Sequence, residues 1–333
     1  MGVYIIAEAG VNHNGNLDMA LKLCDAAKEA GVDCVKFQTW KTENICTQSA
    51  AMAAYQKENM QSEAASQFEM LKKLELSYEH FEYIKEYCEK IGIDFLSTPD
   101  EEESLDFLMN RLDLRTIKIG SGEVTNIPYL RKIASYGRPV ILSTGMSTLA
   151  QVAIAYDTLV QAGASDVTLL HCTTNYPCPY DEVNLRAMQT LKSAFNCSVG
   201  YSDHTMGIEV PVAAVAMGAE VIEKHFTLDR GMDGPDHKAS LEPHELKQMV
   251  QSIRNIECSL GDGIKRPNRS EVANAMVVQK SILARCPIKQ GDILSEENLT
   301  VKRAGNGISS NHWDVVIGTT AKKDYVVDEP ITI

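Results

Sequence analysis

The sequence predicts an α/β fold, a (β/α)₈ barrel followed by a small β-rich domain, and three observations carry that prediction. Short apolar runs of strand length alternate with amphipathic stretches of helix length through most of the chain. Nearly every run ends in polar side chains, as the carboxyl ends of barrel strands do. After Gly261 the alternation stops and short strand-like pieces separated by Gly-containing turns take over.

In order, the strand-like runs are 3–8, 34–38, 93–98, 116–120, 139–144, 167–173, 198–202 and 220–225. Helical stretches at 17–30, 78–91, 101–112, 127–136, 148–162, 185–195, 209–217 and 243–260 fill the gaps. Glycines at 31, 92, 137, 163, 218 and 261 stand where a left-handed helix end is wanted. A doubly wound open sheet would want a Gly-x-Gly-x-x-Gly turn after its first strand, and residues 9–15 do not supply one. The longest irregular piece, 41–66, follows the second strand and so falls on the face where barrels build their sites, the place for a covering loop. The barrel is expected over 1–264, a polar linker over 265–280, and the small domain over 281–333, with short strands at 281–285, 298–302 and 325–327.

Composition narrows the function. With 44% hydrophobic and 23% charged residues the 333-residue chain is globular, and no segment approaches the ~20 apolar residues of a membrane span. The apolar start is too short for a secretory core and runs into Glu8, so a cytoplasmic protein is expected. Nine cysteines without a Cys-x-x-Cys pair read as small buried hydrophobes. A net charge of −13 argues against nucleic-acid or anionic-membrane partners.

The chemistry is concentrated at the strand ends. Glu8, Lys36 with Gln38, Thr98, Lys118 followed by Ser121 and Glu123, Ser143, Thr174, Ser202 with His204, and His225 converge on one mouth. Lysines with hydroxyls suit a phosphate, the ammonium groups neutralising it and the hydroxyls completing its hydrogen bonds. The Ile119–Glu123 turn lets backbone N–H groups approach the same anion. His204 and His225 close two consecutive parallel strands and so meet; two imidazoles with open positions suit Mn²⁺ or Mg²⁺, whereas zinc would want a third ligand such as Cys172 or Glu8. A Schiff-base pyruvate aldolase with Lys118 or Lys36 as nucleophile is the competing reading.

Residues 5–15 (IIAEAGVNHNG), 35–39 (VKFQT), 97–99 (STP), 118–123 (KIGSGE), 142–146 (LSTGM), 201–204 (YSDH), 223–225 (EKH) and 234–236 (GPD) together resemble the sialic acid synthase family. Residues 301–307 (VKRAGNG) resemble that family's antifreeze-like (SAF) domain. The resemblance implies condensation of phosphoenolpyruvate with N-acetylmannosamine and water to give N-acetylneuraminate and phosphate. Its alternative is legionaminate synthesis from a 2,4-diacetamido-2,4,6-trideoxymannose, with pseudaminate a third possibility. It implies phosphoenolpyruvate held by Lys36, Thr98, Lys118, Ser121, Ser143, Thr174 and Ser202, Glu8 as base or water-positioning group, and Mn²⁺ or Mg²⁺ on His204 and His225. The sugar would face Gln38, Glu123, Tyr176, Asp236 and, in a domain-swapped homodimer, Arg303 from the neighbouring subunit. Thr174 stands where many members carry Asn.

Overall fold

The computed structural model describes residues 2–59 and 66–332. The chain divides into two units, one running to Gly261 and one beginning at Asp262.

The first unit opens with β1 (Tyr4–Gly10), an apolar run buried along almost its whole length, as befits a parallel strand covered on both faces. Helix α1 (Leu17–Ala30) starts where Asn16 accepts a bond from the Met19 N–H at 3.0 Å, and stops at Gly31, whose φ of 83° suits glycine. It buries Leu23, Cys24 and Ala27, and each fully buried Leu of this kind is worth about 2–5 kcal/mol against Ala. Then come β2 (Cys34–Thr39), the short helices α2 (Thr42–Ile45), α3 (Ala54–Asn59) and α4 (Gln67–Leu74), and α5 (Tyr78–Ile91). The Cys24 and Cys88 thiols touch between α1 and α5 at 3.5 Å, and all nine cysteines are free.

The remaining repeats follow regularly: β3 (Asp94–Pro99), α6 (Glu102–Asn110), β4 (Ile117–Ile119), α7 (Ile127–Ala134), β5 (Val140–Ser143) and α8 (Leu149–Ala162). After them come β6 (Val167–His171), α9 (Ala187–Phe195), β7 (Val199–Asp203), α10 (Glu209–Ala216), β8 (Val221–His225) and α11 (Pro243–Leu260). The strands form one parallel eight-stranded sheet in the order β3-β2-β1-β8-β7-β6-β5-β4. β3 and β4 lie against each other without a hydrogen-bonded ladder, so the ring is a nearly closed barrel. Gly200 on β7 marks the tightest strand approach, since a Cβ there would lie 2.2 Å from the Val221 carbonyl oxygen.

The 41–66 stretch expected to be irregular contains α2 and α3, while its residues 60–65 lie outside the described residues. Trp40, Met52, Met70, Leu74 and Val11 form a satellite cluster under this region.

The second unit has its own core of Ile282, Leu294, Leu299, Val316, Tyr325 and Ile331. Its antiparallel pair is β9 (Lys280–Ala284) with β10 (Leu299–Arg303). Two expectations change here. The stretch read as linker holds a ten-residue helix, α12 (Arg269–Val278), started by a capping box between Asn268 and Glu271. The strand expected at 325–327 is a single bridge from Tyr325 to Ile288, since the Glu329 side chain accepts from Val326 N–H at 3.0 Å and the Glu329 N–H donates to the Val326 carbonyl at 3.1 Å, closing a turn. Its last described helix is α13 (Trp313–Val316). No described helix is long and apolar enough to cross a membrane.

Candidate active site

Register explains why the polar strand ends meet. Glu8 of β1 pairs with Lys36 of β2 on one side and His225 of β8 on the other, and Ser202 of β7 pairs with Glu223 of β8. Because parallel partners share a face, these side chains crowd the barrel interior just below its mouth.

At the centre is a buried quartet of two lysines and two carboxyls. Lys36 is paired with Glu8 and lies 3.6 Å from Glu223; Lys118 lies 3.4 Å from Glu223. Hydroxyls complete the donors: Lys36 bonds Thr98 Oγ1 at 3.1 Å, Lys118 bonds Ser143 Oγ at 2.7 Å, and Ser202 Oγ donates to Glu223 Oε1 at 2.9 Å. Against the pull of burial, Lys118 and Lys36 hold the Glu223 carboxyl down at about 2. Burial outweighs the single ammonium beside Glu8 and pushes that carboxyl up to about 8. Burial likewise lowers Lys118, whereas Glu223 and Glu8 overcome burial at Lys36 and raise it.

Beside the quartet the chain comes close to itself. Gly145 N–H donates to Ser121 Oγ at 3.0 Å, and a Cβ on Gly145 would lie 2.3 Å from Thr174 Oγ1 and 2.9 Å from Ser121 Oγ. Thr174 Oγ1 is buried with no hydrogen-bond partner among the described residues. Cys172 lies here as well, its sulfur 3.2 Å from Ser121 Oγ.

The histidines form the opposite wall. Their ring centroids are 5.5 Å apart, and the Tyr176 ring sits 4.1 Å from His204 and 5.5 Å from His225. His204 Nδ1 donates to the Thr173 carbonyl at 2.6 Å, which leaves its Nε2 lone pair for a ligand. His225 Nδ1 is buried without a hydrogen-bond partner among the described residues, 3.9 Å from Asp236. Burial lowers both imidazoles below their usual range, so both are neutral bases near pH 7, the form that ligates a metal. Among the described residues no set of three or more His, Cys, Asp or Glu could hold a metal. Cys172, bonded to Ser121, and Glu8, paired with Lys36, already have partners of their own. The residues fit a divalent ion that takes two protein nitrogens and fills its other positions from water or substrate.

The other expected site residues lie further out. Asp236, its carboxyl raised to about 6 by burial, lies beside His225. Gln38 is the penultimate residue of β2, half-buried. Glu123 accepts a bond from Asn126 at 2.6 Å and lines a cavity of about 460 Å³ with Asp100, Asn44 and Tyr129. Arg303 ends β10, exposed, in the second unit.

Three contributors were given no role in the site from sequence. Glu223 is the hub of the quartet, and its register with Ser202 was the available signal. Asn59 of α3 donates to the carbonyls of Tyr176 at 3.0 Å and Pro235 at 2.8 Å, tying together the loops that carry Tyr176 and Asp236. Asp100, its carboxyl raised to about 7 by burial, lines the cavity next to Glu123.

The comparisons with known proteins agree on one group. A sequence model described as the NeuB family matches residues 23–265, and one described as the SAF domain matches residues 279–333. N,N'-diacetyllegionaminic acid synthase of Campylobacter jejuni is 51% identical over 329 residues, covering 98% of this chain and 98% of that protein. The protein of the same name from Legionella pneumophila is 48% identical, covering 96% and 90%. Among solved structures, N-acetylneuraminic acid (sialic acid) synthetase from Leptospira borgpetersenii, in complex with citrate, superposes with a TM-score of 0.72 at 36% identity, covering 81% of this chain and 89% of that one.

Proposed function

The chain belongs to the NeuB family, the sialic acid synthases, and from that premise we propose that it condenses phosphoenolpyruvate with 2,4-diacetamido-2,4,6-trideoxymannose to give N,N'-diacetyllegionaminate and phosphate. The two legionaminate synthases similar to it over almost its full length favour this acceptor over N-acetylmannosamine, the one expected first.

The observation that carries the reaction class is the lysine–carboxyl quartet, with the hydroxyls bonded to it, lying against a pair of neutral imidazoles. In our reading Lys36, Lys118, Thr98, Ser143 and Ser202 bind the phosphate and carboxylate of phosphoenolpyruvate, with Ser121 and Thr174 beside Gly145 completing the cradle. His204 and His225 hold Mn²⁺ or Mg²⁺, which when bound supplies Lewis-acid polarisation of the acceptor aldehyde. Tyr176 and Asp236, beside the imidazoles, orient the open-chain sugar, with Gln38, Glu123 and a partner subunit's copy of Arg303 completing its site. The enol carbon attacks the aldehyde carbon, and the new alkoxide takes a proton. Cationic character left at the enol ether carbon is quenched by water, which Glu8 orients and whose proton it accepts. Burial raises the Glu8 carboxyl above its ordinary range, which makes its ionised form, held beside the Lys36 ammonium, a stronger base for that task than an exposed carboxylate. The tetrahedral intermediate then expels inorganic phosphate.

Phosphate release from purified protein, assayed with each mannose-configured acceptor, tests the reading. We expect kcat/KM at least tenfold higher on the diacetamido acceptor, and loss of turnover on chelation or in H204A. Preference for N-acetylmannosamine would restore the acceptor expected first. Borohydride trapping of pyruvate on Lys118 or Lys36 would replace the synthase with an aldolase.

A further inference from the structure

Behind the two histidines, on the face of β7 and β8 turned away from the barrel interior, lies a polar network with no access to solvent. Asp203 and Lys224 are both fully buried, as is Thr205, and Tyr201 is 1% exposed. Lys224 Nζ reaches Asp203 Oδ2 at 2.6 Å and also donates to the Thr205 carbonyl. The Asp203 carboxylate further accepts from Tyr201 OH at 3.0 Å, Thr205 N–H at 3.0 Å and Thr205 Oγ1 at 3.1 Å. None of these groups belongs to the substrate cradle.

The position of this network is informative. The registered ladder between β7 and β8 ends at the pair Asp203 and Lys224, one residue short of both histidines. Beyond it, His204 is held by β6-side groups: its ring by the Thr173 carbonyl, and its own carbonyl by Cys178 N–H at 2.8 Å. Lys224, the residue before His225, bonds residues 203 and 205 on either side of His204 and so extends the link between the strands past the end of the ladder. A buried ion pair is a poor way to add stability, because well-packed apolar residues do as well or better. Fixing two ligands at one separation is a task that directional bonds perform and apolar packing does not.

We propose that Asp203, Lys224 and Thr205 are positioning residues that set the separation of the His204 and His225 rings, and with it the affinity of the site for a divalent metal. The inference rests on the reading that these histidines hold the metal.

The test is titration of metal-stripped full-length protein with Mn²⁺, followed by calorimetry and electron paramagnetic resonance, with phosphoenolpyruvate binding to the metal-free protein measured in parallel. K224M and D203N should weaken Mn²⁺ about 10- to 100-fold, as loss of a ligand-orienting group does. Phosphoenolpyruvate affinity should stay within about twofold, because its cradle draws chiefly on other strands. T205V, which keeps the shape and loses the hydroxyl, should weaken Mn²⁺ in the same direction, and T205S should restore it; this pair serves if the buried-charge variants do not fold. Variants that unfold cooperatively yet bind Mn²⁺ like wild type would overturn the proposal, as would a parallel loss of phosphoenolpyruvate affinity, the mark of general loosening. Wild type binding Mn²⁺ no tighter than H204A would instead overturn the metal reading beneath it.

Discussion

Gly145 is the residue with least room around it in the cradle, and its neighbours decide what a methyl group there would do. A Cβ placed 2.3 Å from Thr174 Oγ1 and 3.1 Å from Cys172 Sγ must push the β5–α8 turn away from Ser121, which Gly145 N–H now contacts. G145A should therefore raise the KM for phosphoenolpyruvate at least tenfold in steady-state kinetics while unfolding in urea close to wild type; an unchanged KM would remove this turn from the cradle. Two other histidines make a different prediction. His13 and His237 are fully buried, and burial lowers them to about 3 and about 4. Each therefore stays neutral in the folded state while the unfolded chain takes up a proton below about 6.5, so stability is lost as pH falls from there toward 4. H237Q removes one such proton. Its destabilisation in urea titrations at pH 7 should shrink by up to about 1.4 kcal/mol for each pH unit below 6.5, and a gap constant with pH would contradict the assignment.

Among the elements, α6 shows how a helix start can serve a neighbouring segment. Glu101 accepts from the N–H groups of Ser104 at 2.9 Å and Glu103 at 2.7 Å, and its remaining capacity goes to Lys41 N–H and Asn44 Nδ2 in the segment after the neighbouring strand β2. E101A should cost about 1–2 kcal/mol in urea unfolding, and E101Q clearly less. A null effect would mean that water replaces the cap. Elements were also what the sequence disclosed most readily. Apolar runs such as 167–173 and glycines such as Gly31 and Gly92 carry local signals, and strand-end lysines and histidines stand out against them. Helix α12 escaped because it buries no side chain in its own unit and has no apolar stripe to read. Asn59 escaped for another reason: its two partners lie 117 and 176 residues away, and nothing near it in sequence marks it.

For the molecule as a whole, the barrel's seam has a measurable signature. Every barrel strand but β3 and β4 is bonded on both sides, β7 and β8 lie farthest along the ladder from the gap, and β3 and β4 face each other without a ladder. Amide exchange should be slowest in β7 and β8 and faster at Ile117–Ile119; uniform protection around the ring would mean that the seam is closed in solution. The convergence of polar strand ends on one mouth was legible because it follows from topology. The charge arrangement was not, because Glu223 becomes the partner of both lysines only once three strands are in register. On the proposed reading that arrangement would reach into turnover. A ligand bearing phosphate would enter a place already held by a carboxylate, and on its departure the same carboxylate would reclaim the lysines. Glu223 would then be a tethered rival for the site, tempering the grip on substrate and hastening the exit of the released anion.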